Sequence, residues 1–299
     1  MSDKFKVTIG LCVKNVEATI NEAIDGILSQ TYPHQLMELV VVDGFSEDRT
    51  LMLIKKKLAD KDIVSSFYKE NTGLGMARQM VVEKARGDYI VWVDGDIILS
   101  PDYIKNQVEY MENNPQVAAA GGKYGVCSGK SFVSKMENIV VVVESEYGMP
   151  ATSNLGQLPG TEGSIYRVEA IRVVNGFDVS IKGAAEDLDA AYRMKEAGWS
   201  LSVTNELFQE ACRETWLSLW DQYFWYGYGA HFIFNKKKGS IELHKMVPIA
   251  GFLAGVIHSI RAYKITNKKF FFLLPIHYTF KRIAWCFGFA KAYIDGYKT

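Results

Sequence analysis

Cysteine is scarce. The four present (Cys12, Cys127, Cys212 and Cys286) lie far apart, with no C-x-x-C pair. That spacing argues against a zinc site or a disulfide framework and predicts small buried thiols in a reducing compartment. The five histidines show no metal-ligand spacing. No G-x-S-x-G, P-loop or dinucleotide G-x-G-x-x-G occurs, which removes three common enzyme classes. Repeats and low-complexity tracts are absent, and a charged content of 23% gives no ground for disorder. Long apolar runs are missing too. Met246–Ile260 has no Lys, Arg, Asp or Glu but is only 15 residues long, and Phe270–Phe280 is 11 residues around Pro275. A straight membrane span needs about 20. The first residues, Met1–Lys6, show no apolar signal region, so the folded part is expected in the cytoplasm.

What is present supports a large core, because 48% of the residues are hydrophobic. The zero net charge hides an asymmetry. Residues 1–235 hold 22 Lys and Arg against 32 Asp and Glu, whereas residues 236–299 hold 12 against 2. A basic tail rich in aromatic and aliphatic residues suits an anionic membrane surface. Its two uncharged stretches read as interfacial segments, with buried helices and a true span as the alternatives. In the first half, strands at Val7–Cys12, Leu39–Val42, Ile63–Tyr68 and Asp88–Val93 alternate with helices at Glu17–Ser29, Asp48–Leu58 and Met76–Ala85. That order predicts an α/β fold, a mostly parallel central sheet flanked by helices, with a helical basic and aromatic C-terminal extension. Ligands of such sheets sit beyond the carboxyl ends of the strands. Asp43 and Asp94 both fall there.

Three short motifs follow in order. Val40 to Thr50 reads V-V-V-D-G-F-S-E-D-R-T, Val93 to Asp96 reads V-D-G-D, and Ala185 to Asp187 reads A-E-D. Together they resemble family 2 glycosyltransferases over about residues 5–230. Gln30-Thr31-Tyr32-Pro33, Gly73–Arg78 and Asn175-Gly176-Phe177-Asp178 fit the same pattern. The resemblance implies a GT-A, Rossmann-like fold and inverting transfer from a nucleotide sugar, with UDP favoured by family frequency. It implies a catalytic domain, bounded at 1–235, and the basic, apolar composition of 236–299 marks a membrane-associating extension. By resemblance, Asp43 contacts the base, Asp96 is the direct metal ligand, Asp94 is a ribose or second metal contact, Asp187 is the general base and Glu186 orients the site or binds the acceptor.

The chemistry needs these types. A departing nucleoside diphosphate gains negative charge, which Mg²⁺ or Mn²⁺ on carboxylates can offset. Asp94 and Asp96 share a face if the segment is extended, with Gly95 allowing close donor approach. A turn is the alternative for D-G-D, a turn cap for Asp43, and a first-turn dipole contact for Glu186, Asp187 and Asp189. Arg78, following two glycines at a helix start, reaches phosphate or makes a surface ion pair. An acceptor hydroxyl needs a base, which Asp187 supplies; a polyprenyl-phosphate acceptor is already anionic and needs none. Gly160–Ser164 reads as an acceptor loop. Trp220–Gly227 lacks the Arg of processive members, and its aromatics fit sugar stacking or core packing. Competing readings are a nucleotidyltransferase, disfavoured by the single glycine in Gly10–Asn15, and a non-catalytic nucleotide-sugar-binding membrane scaffold. No nucleic-acid partner is implied.

Overall fold

The computed structural model describes residues 5–127, 129–147, 159–237 and 241–297. Its elements are β1 (Val7–Val13), α1 (Ile20–Leu28), β2 (Met37–Asp43), α2 (Thr50–Leu58), β3 (Val64–Lys69), α3 (Leu74–Lys84), β4 (Tyr89–Trp92), β5 (Ile97–Leu99), α4 (Tyr103–Asn113), β6 (Val117–Tyr124), α5 (Phe132–Tyr147), β7 (Ile165–Arg167), α6 (Val168–Val173), α7 (Glu186–Glu196), β8 (Ser200–Glu210), α8 (Trp216–Lys236), α9 (Leu243–Met246), α10 (Pro248–Thr266) and α11 (Leu274–Ile294). The chain divides into two compact units. One comprises residues 1–125, 157–182 and 186–211; the other comprises 126–156, 183–185 and 212–299.

The first unit holds one eight-stranded sheet in the order β3-β2-β1-β4-β7-β6-β8-β5. The expected α/β fold is present. Neighbours are parallel from β3 through β4 and again between β6 and β8, with β7 and β5 antiparallel to their partners. β1 and β2 are buried at every position, as β-branched runs with both faces covered must be. Glu38, buried in β2, is held by the Thr8 hydroxyl at 2.7 Å and the Arg86 backbone N–H at 2.7 Å. A buried carboxylate requires such partners.

The second unit is helical and draws in α5 and α8 as well as the basic tail. Its core joins Met136, Ile139 and Val143 of α5 to Ala262, Leu274 and Tyr278. α8 starts on a capping box, the Thr215 hydroxyl and Ser218 each accepting the other's backbone N–H. Cys127 and Cys212 form a disulfide across 85 positions, with Cα atoms 5.9 Å apart. This corrects the expectation of free thiols throughout: distance along the chain does not measure distance in a fold. Cys12 and Cys286 remain free.

Within this unit Glu137 accepts from Lys281 at 2.8 Å and contacts His277. Burial pushes the Glu137 acid upward, but Lys281 and His277 outweigh it and hold it at about 2. Its ordinary value is 4.5, so this stabilisation is complete above that pH and is lost as pH falls through about 2. Glu137→Gln leaves the buried Lys281 without a counter-charge and is expected to cost about 3–5 kcal/mol near neutrality. Denaturant melts of both proteins should converge as the pH is lowered through that window; a constant gap would refute the pairing.

Candidate active site

The first motif acts as a clamp between two loops. Ser46 Oγ accepts the Asn15 N–H at 3.0 Å, Thr50 Oγ1 the Val16 N–H at 2.8 Å and Asp48 the Glu17 N–H at 3.1 Å. Asn15 Oδ1 accepts in return from the Glu47 N–H at 2.9 Å. Short polar side chains that satisfy backbone donors are what a loop needs where no ladder continues. This fixes the carboxyl ends of β1 and β2. Asp43, last in β2, is 1% exposed and accepts the Ser46 N–H at 3.2 Å, so the turn-capping role is present. Phe45, two residues on, has φ 58° and is 50% exposed. A left-handed bulky residue is unusual, and no residue pattern around it signals one.

The second motif forms a turn. Gly95 and Asp96 lie between β4 and β5, and the Ile97 N–H reaches the Asp94 carbonyl at 3.0 Å. The extended segment expected for these residues is therefore corrected. Glycine is required at 95 for packing: a Cβ there would stand 2.6 Å from Val16 Cγ2. The Thr19 hydroxyl donates to the Gly95 carbonyl at 2.7 Å, and the Ala211 N–H to the Asp96 carbonyl at 2.8 Å, so the turn is pinned from two sides.

The third motif opens α7 and meets the second through one cation. Arg78 of α3 is 4% exposed. One end of its guanidinium contacts Glu186, 108 positions away, and the other donates to both Asp94 oxygens at 3.4 Å. It is thus a buried linking residue, which corrects the surface ion pair. Burial works against its charge, but Glu186 and Asp94 more than offset that and hold it well above its ordinary value. Asp187 is half-buried, with one oxygen accepting the Leu188 N–H at 2.7 Å and the other the Thr161 N–H at 3.3 Å. The Gly160–Ser164 loop thereby orients Asp187.

Glu162, anticipated only as part of that loop, belongs to the cluster. A Cβ on Gly160 would meet Asp187 Oδ2 at 2.9 Å and would overlap Glu162 Oε2, so both carboxylates crowd one point. Burial, then the neighbouring Asp187 and Asp94, pushes Glu162 up to about 8. Burial also raises Asp94, against the pull of Arg78 and with Asp96 adding to the rise. Carboxylates therefore outnumber the Arg78 charge, a setting that favours a bound cation. Among the described residues no three His, Cys, Asp or Glu side chains converge as a metal cage. A carboxylate pair completed by phosphate oxygens, the usual arrangement for Mg²⁺, fits the all-oxygen donors Asp94 and Asp96.

Residues 8–173, more than half the chain, match the model for glycosyl transferase family 2. The chain belongs to that family. It is 32% identical over 120 residues to the glucosyl-dolichyl phosphate glucuronosyltransferase of Haloferax volcanii, covering 39% of this chain and 37% of that one. A glycosyltransferase of Haemophilus influenzae is 32% identical over 122 residues, covering 40% of this chain and 48% of the relative. The chain thus spans less than half the length of these two relatives. In fold it is similar to the mannosyltransferase PcManGT of Pyrobaculum calidifontis, solved with GDP-Man and Mn²⁺: TM-score 0.68, 18% identity, 98% of this chain and 89% of that chain. S. aureus TarS 1-349 with UDP-GlcNAc gives TM-score 0.54, 15% identity, and 98% and 92% coverage. The sheet has the GT-A fold of these neighbours.

Proposed function

We propose that this glycosyltransferase moves a sugar, with inversion, from a UDP-linked donor to the hydroxyl of a lipid-linked glycan at the cytoplasmic face of a membrane. The observation that carries the site is the convergence on Arg78 of Asp94 and Glu186 from separate motifs. Asp43 and Phe45 lie at the strand end where the base would sit. Asp94 and Asp96 would hold Mg²⁺ or Mn²⁺, which when bound offsets the charge on the departing diphosphate. Asp187 takes the acceptor proton as the oxygen attacks the anomeric carbon opposite the leaving group. Glu186, fixed by Arg78, keeps the α7 start in register with Asp94. The dolichyl-phosphate-linked sugar in the Haloferax relative's name supports a lipid-linked acceptor. The bound nucleotide differs between the two solved neighbours, so the assay must span bases.

Asp96→Ala provides the test. Purified protein with lipid would be given UDP-, GDP- and dTDP-sugars with Mg²⁺ or Mn²⁺, and nucleotide release followed. Release should depend on the metal, favour UDP, and fall about 10²-fold or more in the variant, since a ligand of a Lewis-acid ion has been removed. Release unchanged by chelator would sink the metal assignment. No binding or release with any donor would favour a non-catalytic scaffold.

A further inference from the structure

One helix of the second unit is built inside out, and the helix beside it shares its exposed apolar character. Along α10 the buried residues are Gly251, Gly255, His258, Ser259 and Ala262. Outward stand Ile249, Phe252, Leu253, Ile257 and Ile260, each 47–75% exposed. At about 3.6 residues per turn these five form one stripe. α11 carries a matching outer line. It buries His277, Lys281 and Gly288 along with Leu274, Tyr278 and Trp285, while Ile276, Phe287 and Ile294 stand 60–76% exposed on one line. Water drives the opposite arrangement, with large apolar side chains inward and polar ones outward.

The packing face has its own logic. A Cβ on Gly255 would lie 2.5 Å from Pro275 Cα, and one on Gly251 2.6 Å from Arg282 Cγ. The helices approach closely because the residues between them are small, which is how helices associate where no hydrophobic effect drives them together. On that face the Lys281 charge is matched by Glu137 at 2.8 Å, and Arg282 reaches Met246 Sδ at 3.0 Å. Yet neither helix is long and apolar enough to cross a membrane. At the turn between them Lys264, Lys268 and Lys269 are exposed beside Phe272 and Leu273. An apolar stripe edged by lysines suits a helix lying in an anionic lipid interface.

We propose that α10 and α11 insert their outward stripes into the headgroup–acyl boundary of an anionic bilayer, making this unit a monotopic anchor. The inference rests on the membrane reading above and sharpens it, because charge attraction alone would leave the stripes in water. The lysines draw the unit to the surface, and the apolar stripes hold it there.

Vesicle flotation of the full chain tests this, with phosphatidylcholine vesicles with and without phosphatidylglycerol. Wild type should float with the anionic vesicles and stay bound when salt is raised to molar levels, where charge attraction is screened. Leu253→Asp with Ile257→Asp should lower the partition by about tenfold or more, while nucleotide release from the donor and the circular dichroism spectrum stay as in wild type. Lys264→Glu with Lys268→Glu should weaken binding at low salt. The proposal is overturned if wild type stays unbound, or if molar salt strips it completely. It is also overturned if light scattering shows a dimer that the Asp variant splits, since the stripes would then cover a second copy. Flotation without donor turnover would sink the enzymatic reading alone; turnover without flotation would sink the anchor alone.

Discussion

Asp187→Asn is expected to bind the nucleotide sugar as wild type does but to slow transfer to a hydroxyl acceptor by about 10²–10⁴-fold, the usual worth of a positioned base. The geometry makes the substitution clean. The Leu188 N–H at 2.7 Å and the Thr161 N–H at 3.3 Å hold the two Asp187 oxygens. An amide keeps the shape and one of those acceptors but cannot take a proton. Asp187 is absent from the Arg78 pairing, so the link between Glu186 and Asp94 survives the change. Donor affinity would be read by calorimetry and transfer by following a labelled sugar into a lipid-linked acceptor. Transfer at the wild-type rate would mean the acceptor arrives already ionised. A polyprenyl phosphate would then replace the glycan hydroxyl as the substrate.

How much of this was legible follows from what each element does. β1, β2 and β4 are buried on both faces, and their stretches Ile9–Val13, Leu39–Val42 and Tyr89–Trp92 read as apolar runs. β5 and β7, three residues each, are too short to show any period. β8 buries only Thr204 and Phe208 and is otherwise exposed or half-buried, so nothing in its composition marks it out. The acidic motifs were readable because strand ends collect ligands, but their partners were not. Nothing near position 78 announces that Arg78 will be buried against a residue 108 positions away. Likewise Cys127 and Cys212 carry no local sign of pairing. In the tail, Arg261, Lys264, Lys281 and Arg282 interrupt the apolar runs and hide two continuous helices of 19 and 21 residues. One of those charges, Lys281, lies inside the bundle, where hydropathy places no charge.

Arg78→Met should do more harm to the fold than any other single change in the site. The side chains are similar in length, so packing is largely kept while the cation is lost. Glu186, 1% exposed, and the half-buried Asp94 would then face each other with no counter-charge. Removing one partner of a buried ion pair costs about 3–5 kcal/mol, because the remaining acid keeps its desolvation penalty or must take up a proton to escape it; burial already holds Glu186 up at about 7 against the pull of Arg78. For a protein whose whole stability is about 5–15 kcal/mol, that is a large share. Unfolding by urea would measure it. Glu186→Gln in the Arg78→Met background should recover part of the loss, since a neutral amide replaces the stranded carboxylate. In the wild-type background the same Glu186→Gln should be destabilising. That reversal of sign is the test: residues in one network do not add. If Glu186→Gln had the same effect in both backgrounds, Arg78 and Glu186 would be energetically independent. The contact that joins the second and third motifs would then be dispensable to the fold.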